Sequence, residues 1–112
     1  MKSIQYYGPQ NIKYEEVMVK PPQEGEIVVK IMSALTCGTD VKTYRRGHPV
    51  LIKNIPSGFG HEFSGIVDRV GRGVENLKVG DRVVCANSAP CGECFYCSRG
   101  EYNLCENLDL LN

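Results

Sequence analysis

The sequence lacks the features that would place it at a membrane, in a secretory pathway or on a nucleic acid. No apolar run approaches the about 20 residues of a membrane-spanning helix, and residues Met1–Tyr7 contain no hydrophobic segment of a signal peptide. Thirteen basic residues balance thirteen acidic ones, so the charge does not favour a nucleic acid or an anionic membrane as partner. We therefore expect a soluble protein of the cytoplasm.

The sequence also contains no internal repeat, no low-complexity tract and no dinucleotide-binding fingerprint. No G-x-G-x-x-G stretch opens a helix, and Gly71-Arg72-Gly73 is predicted to be a turn between strands. A chain of 112 residues is long enough for one domain with a modest core. We expect one domain over residues 1–112, without a Rossmann domain for NAD(P).

Short β-strands dominate the predicted secondary structure. Runs of alternating or β-branched residues are interrupted by Gly and Pro, a density typical of an all-β sandwich or barrel. The fold class is therefore predicted to be mainly β. The predicted strands are Ser3–Tyr7, Ile12–Val19, Glu26–Met32, Phe63–Val70 and a strand within Val79–Cys85.

One short helix interrupts this pattern. Gly38-Thr39-Asp40 offers two candidate N-cap residues ahead of Val41–Tyr44, and Gly47 is placed to end the helix. Residues 48–59 contain two prolines and are predicted to form a loop.

Six cysteines in so short a chain require an explanation. Four of them form the pattern C-x2-C-x2-C-x7-C, whose spacing lets thiolates converge on one tetrahedral ion. A closed set of four thiolates leaves no position for substrate, so we expect a structural zinc site in a lobe of about residues 88–108. An iron–sulfur cluster, disulfides in an oxidising compartment and a redox motif are the alternatives. The four cysteines are Cys91, Cys94, Cys97 and Cys105.

The two remaining cysteines differ in their surroundings. Cys85 lies in an apolar stretch, where we interpret it as a small buried hydrophobic residue. Cys37 lies between a strand and a helix, where the helix dipole favours a thiolate. His61 precedes another strand, and the loop between them could bring both side chains to one metal ion.

The neighbours of these two residues could complete a metal site. Glu62 could be a third ligand or could exchange with water. Asp40 could accept a hydrogen bond from the far ring nitrogen of His61, and the Thr39 hydroxyl could accept a substrate proton. Taken singly, Cys37 and His61 are each more often structural residues than ligands.

Several motifs together resemble one known family, the zinc-dependent medium-chain alcohol dehydrogenases. Gly60-His61-Glu62-x-x-Gly65-x5-Gly71-x2-Val74 is similar to the zinc signature of their N-terminal, GroES-like β-barrel domain. Cys37-Gly38-Thr39-Asp40 resembles the motif of the first zinc ligand. Its residues are most similar to those of the polyol (sorbitol) and threonine dehydrogenase branch. The late cysteines resemble the structural-zinc lobe, and Val79-Gly80-Asp81-Arg82-Val83 a further turn of the family.

The resemblance implies an activity and a set of roles. Cys37 and His61 would bind a catalytic zinc, with Glu62 a second acidic residue at that metal. Thr39 would accept the proton of a small alcohol or polyol substrate, and Asp40 would orient His61. The reaction would be NAD(P)-dependent oxidation of an alcohol to an aldehyde or ketone. A non-catalytic structural zinc module and an iron–sulfur or redox protein remain the alternatives.

The sequence departs from the family at three places. Lys42 stands where many relatives have a proton-relaying His, and His48 is not an obvious substitute. Gly38 replaces an Arg that some members place against the cofactor pyrophosphate. Family members also continue beyond the position of Asn112 with further barrel strands, a third zinc ligand, a cofactor domain and, in the full-length protein, homo-oligomer contacts. We expect the 112 residues alone to be inactive.

Overall fold

The computed structural model describes residues 1–110 of the chain. Eight strands, one α-helix and two 3-10 turns (Cys97–Arg99 and Tyr102–Leu104) follow one another along it. The strands and the helix are β1 (Lys2–Gly8), β2 (Asn11–Glu16), β3 (Ile27–Leu35), α1 (Gly38–Arg46), β4 (Ser57–Gly58), β5 (Glu62–Val70), β6 (Arg82–Val84), β7 (Ser88–Ala89) and β8 (Asp109–Leu110). The prediction of a mainly β fold is confirmed.

The first sheet has the strand order β2–β1–β4, and all its pairs are antiparallel. A tight turn closes the β1–β2 hairpin, in which Gly8 and Gln10 both have positive φ. β4 adds only two residues and pairs Tyr6 with Ser57. The loop predicted for residues 48–59 is therefore a loop whose end is held against β1.

The second sheet has the strand order β3–β5–β6 and contains the longest strand pair. The register between β3 and β5 shifts twice, which marks bulges that bend the pair. Gly65 and Gly71 lie where other chain segments approach closely. A Cβ atom at Gly65 would lie 2.3 Å from the carbonyl oxygen of Lys30, and one at Gly71 would lie 1.7 Å from that of Gln23. These two glycines of the zinc-signature motif are thus required by packing.

Helix α1 begins two residues earlier than the N-cap prediction allowed. Its N-cap is Cys37, not Thr39 or Asp40, so that prediction is wrong. The reason is that the Cys37 sulfur accepts the N–H of Thr39 while the Asp40 carboxylate accepts the N–H of Cys37. This reciprocal pair is a capping box with a thiol in place of a hydroxyl. Gly47 ends the helix as predicted.

The core of the described chain is small. Tyr6 and Val67 are the largest side chains that are fully buried, each 1% exposed, whereas Leu35 in β3 and Val84 in β6 are 72% and 82% exposed. Cys85 follows β6 and is only half-buried, so its assignment to a buried strand position is wrong. Within residues 1–110 no helix has the length and apolar character needed to cross a membrane.

Candidate metal centres

Cys37 and His61 lie side by side in the folded chain. The Sγ atom of Cys37 is 3.3 Å from Nε2 of His61. A tetrahedral zinc ion bound about 2.3 Å from sulfur and about 2.0–2.1 Å from nitrogen would hold these two atoms about 3.5 Å apart. The observed separation is therefore close to that of two ligands of one ion.

Glu62 completes a possible three-ligand group at this place. Its Oε1 atom lies 3.9 Å from Nε2 of His61, and the ligand atoms of Cys37, His61 and Glu62 all lie within 4.8 Å of one another. The Glu62 carboxylate is the most exposed of the three side chains, 44% exposed against 11% for His61. Of the three side chains, that of Glu62 is therefore the most accessible to water.

The cap of helix α1 positions the thiol of Cys37. The Thr39 N–H donates to Cys37 Sγ at 3.3 Å, and the Cys37 N–H donates to Oδ2 of Asp40 at 2.9 Å. Backbone N–H groups at a helix N-terminus favour negative charge. The cap thus fixes the position of the Cys37 sulfur at the start of the helix.

A buried carboxylate positions the ring of His61. Oδ1 of Asp40 lies 3.1 Å from Nδ1 of His61, and Asp40 is 4% exposed. An acceptor at Nδ1 fixes the neutral ring with its proton on that nitrogen and leaves the Nε2 lone pair directed at Cys37. The structure therefore brings together the pair that the sequence predicted for this role.

The candidates for proton transfer are Thr39, Lys42 and His48, and they lie in different surroundings. Thr39 is half-buried at the start of α1, and Lys42 is exposed one turn further on. His48 lies beyond the end of the helix, where its Nδ1 accepts the N–H of Leu51 at 3.2 Å. His48 is thus engaged with its own loop.

The four late cysteines converge on a second point. Their sulfur atoms all lie within 4.8 Å of one another, and Cys91 Sγ is 4.0 Å from Cys97 Sγ. Two thiolates of a tetrahedral zinc site are about 3.8 Å apart. Thiolates of a four-iron cluster each bind a different iron and are more widely spread, so this spacing favours a single ion. The fit is that of a closed, four-thiolate site.

The surroundings of these thiols differ strongly. Backbone N–H groups, that of Cys97 first, lower the pKa of Cys94 to about 6. The N–H of Glu93 is the main cause of a lowered pKa at Cys91. Burial raises the pKa of Cys97 to about 12. At neutral pH the cluster without metal thus combines a thiolate with a protonated thiol, and an ion must displace protons to bind all four sulfurs.

Sequence reasoning missed the capping function of Cys37. The signal for it was the spacing Cys37-x-x-Asp40, which has the form of a capping box. Sequence reasoning also missed Tyr6, whose ring stacks on Phe59 at a centroid distance of 5.7 Å, two residues before His61. No local pattern distinguishes Tyr6 from the neighbouring Tyr7, because the contact arises only from the fold.

Comparison with known proteins gives consistent results. Residues 23–111 match the model of the alcohol dehydrogenase GroES-like domain, which confirms the predicted GroES-like fold. The L-threonine 3-dehydrogenase of Pyrococcus furiosus is 38% identical over 108 residues, which are 96% of this chain and 30% of that protein.

Two solved structures are also similar. Galactitol-1-phosphate dehydrogenase of Escherichia coli superposes with a TM-score of 0.86 at 34% identity, covering 99% of this chain and 32% of that one. The short chain alcohol dehydrogenase RspB of E. coli CFT073, in complex with NADH, superposes with a TM-score of 0.85 at 39% identity and the same coverage. The chain thus spans about a third of the length of these relatives.

Proposed function

Since the chain belongs to the alcohol dehydrogenase GroES-like domain family, we propose that it is the zinc-binding portion of an NAD(P)-dependent alcohol or polyol dehydrogenase. The enzyme would oxidise an alcohol to an aldehyde or ketone. The observation that carries this proposal is the 3.3 Å separation of Cys37 Sγ and His61 Nε2, with Glu62 within ligand distance. An open three-ligand group is typical of a catalytic zinc site.

In the proposed site each residue has a distinct role. Cys37 and His61 hold the ion, and Glu62 is the ligand that can exchange. When bound, zinc supplies Lewis-acid polarisation of the alcohol oxygen, which lowers the pKa of the hydroxyl. Asp40 keeps the His61 proton on Nδ1, and the hydroxyl of Thr39 accepts the proton of the substrate hydroxyl while it releases its own proton to solvent.

The second site would be structural. Cys91, Cys94, Cys97 and Cys105 would hold a zinc ion that orders the lobe of about residues 88–108. Between the two-residue strands β7 and β8 the lobe contains only 3-10 turns, and Phe95 on its surface is 60% exposed. Metal binding would therefore contribute much of the free energy that orders it.

The hydride acceptor would be NAD or NADP bound by a domain outside these residues. Support comes from the RspB structure, which contains NADH, and from the galactitol-1-phosphate dehydrogenase, whose name indicates a polyol phosphate. The substrate class is accordingly a small alcohol or polyol. We place the enzyme in the cytoplasm and expect the full-length protein to be a homo-oligomer.

A second candidate function is a non-catalytic zinc module. It is favoured by one observation, that only the four-cysteine group among residues 1–110 is a complete tetrahedral set, whereas the Cys37 group offers three ligands. In that case metal at the lobe would stabilise the fold and the Cys37 group would remain without function.

The test measures the formation of NADH or NADPH by absorbance, in the gene product that contains these residues, with a panel of alcohols and polyols. We expect activity that is abolished by Cys37→Ser and retained by Cys85→Ser, because Cys85 belongs to neither ligand group. The 112-residue chain alone should be inactive. Absence of activity with every alcohol, or full activity of Cys37→Ser, would refute the enzymatic proposal and leave the zinc module.

A further inference from the structure

Tyr6 connects the two segments that carry the proposed zinc ligands. Its hydroxyl donates to the carbonyl oxygen of Thr43 in helix α1 at 3.2 Å, and the same carbonyl accepts the N–H of Gly47. Its ring stacks on Phe59 with the ring planes only 10° apart. One side chain therefore contacts both the helix that begins at Cys37 and the segment that ends in His61.

The backbone of β1 and of the turn that follows it reinforces both contacts. The Phe59 N–H donates to the carbonyl oxygen of Ile4 at 3.1 Å, and the Gln10 N–H donates to that of Tyr44 at 2.6 Å. Tyr6 itself is 1% exposed, and Thr43 is 3% exposed. A buried phenol held by a hydrogen bond and a ring stack has one well-defined position, so it can transmit that position to both neighbours.

The zinc ligands need such a constraint. Cys37 and His61 are far apart in sequence, and their side chains meet directly and through Asp40. The strands beside them also pair, with Leu35 of β3 opposite Glu62 of β5. A metal site requires its ligand atoms within a few tenths of an ångström of the productive geometry. The described core is otherwise small, with Val67 the other fully buried large side chain. The β3–β5 pair holds the strand ends beside the two ligands, and Tyr6 adds a contact from β1 to the body of helix α1.

We propose that Tyr6 is a positioning residue for the Cys37–His61 metal pair. It fixes the relative position of the two ligands by contacting Thr43 of helix α1 on one side and Phe59 on the other. The proposal rests on the proposed function in assigning a metal to this pair. It assigns no contact between Tyr6 and metal or substrate. Its consequence is that the metal affinity of this pair depends on a side chain in the first strand of the chain.

The test titrates the protein with Co²⁺ and follows the absorption bands of the bound ion. Comparison with the spectra of Cys37→Ser and Cys94→Ser assigns the bands to each site. Tyr6→Phe removes only the hydroxyl and should weaken Co²⁺ at the Cys37–His61 pair about threefold to tenfold, the range of one lost hydrogen bond. Tyr6→Leu also removes the ring stack and should weaken Co²⁺ binding at this pair by more than tenfold. Affinity at the four-cysteine site should not change in either variant.

Two matched controls separate positioning from general stability. Tyr7→Phe also deletes one tyrosine hydroxyl, which bonds to Glu15 in the β1–β2 hairpin, and should leave both affinities unchanged. Val67→Ala removes buried volume from the second sheet and should lower the stability of the fold. It should not selectively lower the Co²⁺ affinity of the Cys37–His61 pair. Equal Co²⁺ affinity of wild type and both Tyr6 variants would overturn the proposal.

A metal-free measurement keeps this test separate from that of the proposed function. Hydrogen exchange of the Cys37 amide reports its bond to Asp40, and it should accelerate about tenfold or more in Tyr6→Leu relative to Tyr7→Leu. If the wild type takes up no Co²⁺ at the pair, the metal assignment fails, and unchanged exchange of Cys37 in Tyr6→Leu would separately refute the role of Tyr6.

Discussion

Asp40 lies with its Oδ1 atom 3.1 Å from Nδ1 of His61 and uses its other oxygen to accept the backbone N–H of Cys37. One buried carboxylate thus orients the imidazole and also holds the helix cap that carries the thiol. A carboxylate with two acceptor oxygens and no proton suits two donors. The two proposed zinc ligands are therefore coupled through a residue that binds no metal itself.

Replacement of Asp40 by Asn should weaken zinc at the Cys37–His61 pair. An amide presents one oxygen and one NH₂ group, so one of the two donors would face another donor. Loss of such a supporting contact lowers metal affinity about 10- to 100-fold. Competition with a chromophoric chelator measures this affinity.

The matched control for this change is Asp68→Asn. Asp68 is half-exposed, pairs with the neighbouring Arg69 at 3.4 Å and lies near the end of β5 opposite to Glu62. Unchanged zinc affinity in Asp40→Asn, or an equal loss in both variants, would contradict the coupling role.

Loss of one lobe cysteine should remove one zinc ion and disorder the lobe. Cys97→Ser deletes the most buried of the four thiols. Because the lobe has little apolar packing of its own, protease cleavage between residues 88 and 108 should become rapid, while the Cys37–His61 pair keeps its metal. Cys85→Ser serves as the control. A lobe that resists protease equally in Cys97→Ser and wild type would show that metal does not order it.

Zinc binding at the lobe should weaken as the pH falls. The pKa of Cys97 is raised to about 12, so a proton must leave this thiol when the ion binds at neutral pH. The pKa of Cys94 is about 6, so this thiol is mainly thiolate at pH 7 and takes up a proton below about pH 6.

We therefore expect affinity to fall at least tenfold per pH unit between pH 8 and 7, and more steeply below about pH 6. Chelator competition over this range and proton release in weak buffer are the measurements. An affinity independent of pH from 8 to 5 would contradict four-thiolate ligation.

Gly71→Ala should destabilise the fold, because its Cβ would lie 1.7 Å from the carbonyl oxygen of Gln23. Forcing an extra group into a packed site costs about 1–3 kcal/mol. Gly58→Ala is the control, since a Cβ there meets nothing within 4 Å. Urea unfolding gives the free energies. Equal stability of the two variants would show that close packing does not explain the glycine at position 71.

Much of this architecture could be predicted from local patterns. The turn signal after Ser3–Tyr7 and the alternation in Phe63–Val70 predicted β1 and β5, and the cysteine spacing predicted four converging thiols. These signals are local because strand periodicity and chelate spacing extend over only a few residues.

Other features depend on contacts between distant segments and had no local signal. The Tyr6–Phe59 stack joins β1 to the loop before β5. The half-exposed position of Cys85 could not be predicted either, because its apolar neighbours in sequence, such as Val84, are themselves exposed in the described chain. Burial depends on which segments cover a strand, and this is a property of the fold.

The number of zinc ions bound per chain tests the central claim most directly. Elemental analysis of the purified 112-residue chain, together with its Cys37→Ser and Cys94→Ser variants, measures this number. Two zinc-binding sites predict two ions in the wild type and one in each variant, with the remaining ion at a different site in the two cases. A single ion that persists in Cys37→Ser and disappears in Cys94→Ser would contradict the catalytic site and leave only the structural one.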